Sequence, residues 1–248
     1  MAKKYSEIHD IVYYQCDTNG TLTLPTLLNI IIKTSSAQSD ALNRGSDYVA
    51  SFGLAWVITQ YDIAITRLPS SGETVTVTTQ ATSYNKFFCY RNFWVHDEAG
   101  NECVFIKSTF VLMNIENRKM SSVIEDIIAP YESEKVKRIE RGEKIQPVEN
   151  GRSQDYRVRF LDIDGNKHVN NSKYLDWMTD VLGFDFLTTH TPERVLIKFD
   201  KEVEYGEIVD SIWSLKKQDS RPAVSCHQIK VNDTICAEAT IFWQTKNE

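Results

Sequence analysis

The chain repeats itself, and that repeat constrains the fold more than any single motif. Each half opens on a strand ending in an Asp-containing turn, Cys16 to Gly20 and Asp162 to Asn166, then continues into a helix and several strand-like segments. YDIAITRLPSSGETVTVTTQ parallels FDKEVEYGEIVDSIWSLK, and CYRNFWVHDEAGNECVFIKSTFVLMN parallels AVSCHQIKVNDTICAEATIFW. Asp17 and Asp164 stand 147 positions apart, whereas Tyr61 and Phe199 stand 138 apart. The first half is therefore expected to hold about nine extra residues, most simply in the DALNRGSDYVASFG connection, where insertion into a loop costs little. One helix followed by a run of strands, twice over, implies an α+β architecture.

The first helix is legible in LPTLLNIIIKTSS, where Leu24, Leu27, Leu28 and Ile31 recur at helical spacing and Pro25 is tolerated in the first turn. Ile30 and Ile32 make it apolar on more than one face, as in a helix buried within its domain. The second helix repeats the pattern at Tyr174, Leu175, Met178, Val181 and Leu182, with Gly183 as its stop. Alternation at residues 74–78 and at Val195, Ile197 and Phe199 predicts strands, and HDEAGNEC and KVNDTICA predict turns between paired strands.

Chemistry concentrates in DIDGNKHVNNSKYLDWM, residues 162–178. Asp164, Asn166 and His168 fall at alternate positions just before the second helix, which would turn them to one side of an extended segment. A helix start offers unpaired N–H groups and partial positive charge suited to an oxyanion. Imidazole is the side chain most easily poised for proton transfer near neutral pH. Taken singly, Asn170 or Asn171 reads as a helix cap. The first-half turn, Asp17 to Gly20, offers no His, so that half is expected to bind rather than react.

DxNxHVNNxxY resembles the active-site segment of acyl-[acyl-carrier-protein] thioesterases, the plant plastid enzymes and their bacterial relatives. YQCDTNGTLTLPTLLNIIIKTSSAQSDAL, LAWVITQYDIAI and IKFDKEVEYGEIV are similar to further blocks of that family, so the likeness covers most of the 248 residues. It implies a double hotdog, two tandem repeats each with a long helix wrapped by an antiparallel sheet. The expected division is an acyl-binding N-terminal hotdog at 1–130, a linker at 131–152 and a catalytic C-terminal hotdog at 153–248.

The resemblance also implies a fourth catalytic residue, Glu202, beside Asp164, Asn166 and His168. It implies hydrolysis of fatty acyl-[acyl-carrier-protein] thioesters, an acyl carrier protein as partner and no cofactor; a homodimer stays open. In relatives the first half holds the acyl tunnel, which makes Leu27, Ile31, Trp56, Ile58 and Phe88 candidate lining residues, each equally at home as plain core. Plant members carry a Cys directly after the glutamate, but this chain has Val203, which excludes a nucleophile there. Water attack with either Glu202 or His168 as base is the expected mechanism.

Other classes recede on composition. A net charge of -6 argues against general nucleic-acid binding, and with no helix-turn-helix segment to spare it disfavours an acyl-sensing regulator. An acyl-CoA thioesterase would need a basic phosphate pocket, and no Gly-rich phosphate loop is visible. Five dispersed cysteines without CxxC or HExxH spacing fit reduced thiols and no metal. No apolar run approaches the roughly 20 residues that span a bilayer, and MAKKYSEIHD lacks a signal-peptide core, so a cytoplasmic location is expected. In the linker, Lys135, Lys137, Arg138, Arg141 and Lys144 could attract an acidic carrier, but Glu132, Glu134, Glu140 and Glu143 cancel much of that field.

Overall fold

A computed structural model gives the fold and describes residues 2–218 and 221–246. The chain forms two compact units, Met1–Tyr61 with Thr66–Gly142, and Asp62–Ile65 with Glu143–Glu248.

In unit 1, the strands are β1 (Lys4–Asp10), β2 (Leu54–Ile65, of which Asp62–Ile65 falls in unit 2), β3 (Thr74–Tyr84), β4 (Phe88–His96), β5 (Glu102–Asn114) and the short β6 (Met120–Ser121) and β7 (Glu134–Lys135). Their order is β1-β3-β4-β5-β2, with β6 beside β5 and β7 beside β3. The helices are α1 (Leu24–Ala41), α2 (Ser46–Ala50) and α3 (Glu125–Ile128). In unit 2, β8 (Arg152–Arg157), β9 (His190–Phe199), β10 (Ile208–Gln218), β11 (Arg221–Val231) and β12 (Thr234–Thr245) run in the order β9-β12-β11-β10-β8, with α4 (Asn171–Asp180) and α5 (Phe184–Thr189).

Local chemistry explains both long helices. The Thr23 side chain caps α1 by accepting from the Thr26 N–H, with Pro25 in the first turn, and Asn170 caps α4 by accepting from the Ser172 N–H. Helix α1 buries Leu24, Leu27, Leu28, Ile30 and Ile31 as it packs on β1 and β3. Each such side chain stabilises by about 1.5–3 kcal/mol, which outweighs the low helix propensity of its β-branched run. Alternation in β3 buries Val75 and Val77, and β9 buries Val195 and Ile197 on one face. The two expected turns join β4 to β5 through Gly100 (φ +83°) and β11 to β12 through Asn232 (φ +52°).

Two expectations shift. Helix α4 ends at Asp180, and Gly183 (φ +82°) starts α5 instead of stopping α4. The surplus of the first half is larger than nine residues. The N–H groups of Thr66 and Arg67 both reach the Cys103 carbonyl, as those of Asp200 and Lys201 reach Cys236. Ile65, and not Tyr61, therefore matches Phe199, and the offset falls from 147 to 134, a surplus of 13 (147 less 134). Much of that surplus is helix and not loop, since α1 has 18 residues and α4 has 10.

The stretch expected as linker begins as a strap on unit 1: the Val136 N–H donates to the Tyr84 carbonyl (2.8 Å), and Ser83 Oγ donates to Glu140 (2.8 Å). Among the described residues no helix is long and apolar enough to cross a membrane.

Candidate active site

Each unit enters its long helix through the same construction. In unit 1 the Asn19 N–H donates to Asp17 Oδ1 (2.9 Å), the Gly20 N–H to the Asp17 carbonyl (2.9 Å), and the Asp17 N–H to the Thr21 carbonyl (2.9 Å). In unit 2 the Asn166 N–H donates to Asp164 Oδ1 (2.8 Å), the Lys167 N–H to the Asp164 carbonyl (3.0 Å), and the Asp164 N–H to the His168 carbonyl (2.9 Å). Isolated bridges, Cys16 to Leu22 and Ile163 to Val169, flank both turns. Each of these three hydrogen bonds has its counterpart 147 positions away, so His168 occupies the place of Thr21.

A second segment reaches the turn in the same way. The Val169 N–H donates to the Val203 carbonyl (3.0 Å), as the Leu22 N–H does to Pro69 (2.8 Å), so Glu202 stands where unit 1 has Leu68. This contact brings His168 Nε2 to 3.4 Å from Glu202 Oε2. That is within ion-pair range and slightly longer than an ordinary N–H···O bond, a looseness common at free catalytic sites. Both side chains keep a share of solvent, 23% for His168 and 37% for Glu202. His168 Nδ1, by contrast, is buried and makes no hydrogen bond within the described structure.

The other residues of the cluster serve the turn in different ways. Asp164 contacts His168 through the backbone, while its carboxylate is taken up by the Asn166 N–H. Asn166 is exposed. The N–H groups of Val169, Asn170, Ser172 and Lys173 already donate within the fold, to Val203, Asp162 and Asn170. The helix start therefore offers fewer free donors than its sequence suggests, whereas the Asn166 side chain is exposed. Asp162 is buried beneath the turn; burial alone would raise its carboxyl, but the Arg159 guanidinium and N–H outweigh this and hold it below the usual carboxylate range. Tyr174, the last residue of the motif, lies buried with its hydroxyl toward the Lys201 carbonyl (3.5 Å), and burial keeps that hydroxyl protonated.

No cysteine joins this site. Burial raises the thiols of Cys16, Cys103, Cys226 and Cys236, and pushes Cys89 up to about 12, so none is a ready thiolate. Val203 is fully buried. Among the described residues no three His, Cys, Asp or Glu side chains gather to hold a metal.

The candidate lining residues lie in unit 1. Leu27 and Ile31 are fully enclosed one turn apart on α1, whereas Trp56, Ile58 and Phe88 are half-buried on β2 and β4. Trp56 packs edge-on to Phe110 at 6.3 Å and rests against the cluster of Val49, Leu54, Tyr84 and Leu112.

Sequence reasoning missed a buried polar group in unit 2. Ser225 Oγ accepts from Trp243 Nε1 (2.8 Å) and lies 2.7 Å from His227 Nε2. Ser225 and His227 are two apart on a strand, and that spacing was the available signal.

The acyl-ACP thioesterase N-terminal domain matches residues 2–131, and the acyl-ACP thioesterase C-terminal domain matches residues 145–245. The chain belongs to the acyl-ACP thioesterase family. Among curated members, it is 24% identical to the chloroplastic oleoyl-acyl carrier protein thioesterase of Coriandrum sativum over 85% of this chain and 62% of that one. It is also 24% identical to a chloroplastic acyl-[acyl-carrier-protein] hydrolase of Cuphea viscosissima over 94% of this chain and 61% of that one. The chain thus spans about three fifths of the length of these plant relatives.

Among solved structures, a Lactobacillus plantarum protein provisionally described as an oleoyl thioesterase is 39% identical with a TM-score of 0.96, covering 100% of this chain and 98% of that one. The 12:0-ACP thioesterase of Umbellularia californica, at 18% identity, shares the fold with a TM-score of 0.87 over 98% of this chain and 94% of its own. The fold is accordingly the double hotdog of the acyl-ACP thioesterases, α+β in class.

Proposed function

We propose that the protein hydrolyses the thioester of fatty acyl-[acyl-carrier-protein], releasing free fatty acid and ending chain elongation. The observation that carries this reading is the His168–Glu202 pair, 3.4 Å apart at the one helix entry of the duplicated two that has both groups. Family membership supplies the substrate class.

Burial supports Glu202 as the base. With Nε2 directed at Glu202 and Nδ1 buried, the imidazole offers no open nitrogen to water, whereas the carboxylate is over a third exposed. His168 Nε2–H then donates to one carboxylate oxygen and fixes the other toward the substrate water. Glu202 takes the proton as the water oxygen bonds to the thioester carbonyl carbon, and the carbonyl electron pair moves to oxygen, where the Asn166 carboxamide donates to it. Collapse of this intermediate breaks the C–S bond. The sulfur leaves as a thiolate, which takes the proton back from Glu202, and no acyl-enzyme forms. Asp164 acts through the turn it closes. In this reading unit 1 holds the acyl chain, with Leu27, Ile31, Trp56, Ile58 and Phe88 as lining candidates.

Hydrolysis assays on acyl-carrier-protein and acyl-CoA substrates across a series of chain lengths test the proposal. The expected result is turnover with kcat/KM higher on the carrier-linked substrate. Equal or better turnover on acyl-CoA would replace the carrier with the nucleotide handle, and no turnover on either would remove the hydrolase reading.

A further inference from the structure

We propose that the rim of unit 2 formed by Arg157, Arg159, Phe160, Leu161, Lys167, Lys201 and Tyr205 is the surface on which the acidic carrier protein docks. This rests on the hydrolase reading above. Three backbone links tie the rim together beside His168 and Glu202: Gly206 N–H to the Val158 carbonyl (3.3 Å), Asn170 N–H to Asp162 (2.9 Å) and Val169 N–H to Val203 (3.0 Å). On it, Phe160 and Leu161 are 78% and 80% exposed, and Tyr205 is exposed as well. Adjacent apolar side chains displayed so fully, interleaved with arginine, have the composition of a contact surface and not of a solvated loop.

The duplication provides an internal control for the charge. Tyr13 and Tyr14 match Phe160 and Leu161 and are also exposed, so the apolar pair belongs to both units. The cations do not. Asp10, Val12 and Gly20 stand where unit 2 has Arg157, Arg159 and Lys167, and Arg67, the match of Lys201, is neutralised by Glu73 (2.8 Å) and Asp97 (3.1 Å). In unit 2, Arg157, Lys167 and Lys201 are exposed and form no ion pair among the described residues, and the Arg159 side chain is exposed even while it holds Asp162. Asp162 is held by Arg159 and Glu207 by the Glu204 N–H, while the Asp164 carboxylate accepts from the Asn166 N–H; Glu204 and the part-exposed Glu202 are the outward carboxylates of these segments. At these matched positions, cations without an ion pair among the described residues therefore stand on the unit that bears the His168–Glu202 pair. A chain of net charge -6 would repel an acidic protein without such a local patch. The apolar pair favours a protein surface over a free nucleotide.

The test compares dodecanoyl-acyl carrier protein with dodecanoyl-N-acetylcysteamine, which carries the same thioester and no protein. In Arg157→Glu, KM for the carrier substrate is expected to rise roughly threefold or more and to weaken in its salt dependence, with kcat/KM on the small thioester within about twofold of wild type. Phe160→Ser, a change without charge, should also raise the carrier KM. An unchanged carrier KM in both variants, or an equal fall on both substrates in folded protein, overturns the docking surface while leaving hydrolysis standing. Calorimetric binding of the holo carrier by wild type, weakened in Arg157→Glu, sustains the surface even if neither substrate turns over, a result that would instead refute the hydrolase reading.

Discussion

Lys167 holds the same left-handed backbone conformation, φ +68°, that Gly20 holds at φ +72° in the matching turn of unit 1. A side chain there costs about 1 kcal/mol that glycine does not incur. Lys167→Gly is therefore expected to raise unfolding stability by about 0.5 kcal/mol, less than the full strain because glycine also loosens the unfolded chain. Denaturant midpoints at constant slope measure this; a variant no more stable than wild type would show that the lysine is unstrained.

His227 links stability to acid. The ring is fully buried, and burial pushes its imidazole down to about 3. The unfolded chain takes up a proton below about 6.5 while the folded ring stays neutral, so this contribution is complete above that pH and is lost as pH falls toward the folded value. Between pH 7 and pH 5 wild type should lose about 2 kcal/mol more than His227→Gln. Equal losses in chemical unfolding of the two proteins would exonerate the ring.

How far the sequence reached depends on the range of the interactions. The Asp turns, both helix starts and the β4–β5 and β11–β12 turns are local, set by Thr23, Asn170, Gly100 and Asn232, and could be read directly. The second half of α1 could not. Thr34, Ser35 and Gln38 are buried there although polar, and Gln38 is satisfied by Arg91, 53 residues away on β4 (2.6 Å). The matching of Tyr61 with Phe199 failed because alternating apolar strands align nearly as well when slipped, and only the Cys103 and Cys236 hydrogen bonds fix the register. At the site, the family likeness suggested Glu202, but no local signal joins it to His168. The Val169–Val203 link does so, and the burial of His168 Nδ1 is likewise visible only in three dimensions.

The thiols provide a further test. With all five raised by their surroundings and Val203 buried beside Glu202, Cys226→Ser and Cys236→Ser are expected to keep turnover within about threefold of wild type. Intact-protein mass spectrometry during turnover should show no acyl adduct. An acyl-cysteine that forms and decays at the catalytic rate would overturn water attack.

Ile31 probes the assignment of the acyl chain to unit 1. It is fully enclosed on α1, so Ile31→Trp overpacks the interior at a cost of about 1–3 kcal/mol. If the acyl chain lies there, short-chain turnover survives while long-chain turnover falls, each excluded methylene forgoing about 0.8 kcal/mol. A proportionate fall at every length in folded protein would make Ile31 plain core.

The pairing of His168 with Glu202 as the proton-transfer unit is tested most directly by single-turnover hydrolysis of a carrier-linked acyl thioester by Glu202→Gln, with His168→Ala alongside. Gln keeps the shape of the glutamate and removes its basicity, so the chemical step should slow by roughly a hundredfold to ten-thousandfold, and the His168 variant by about a hundredfold or more, with native circular dichroism in both. A Glu202→Gln enzyme that cleaves the thioester at close to the wild-type rate would contradict the account.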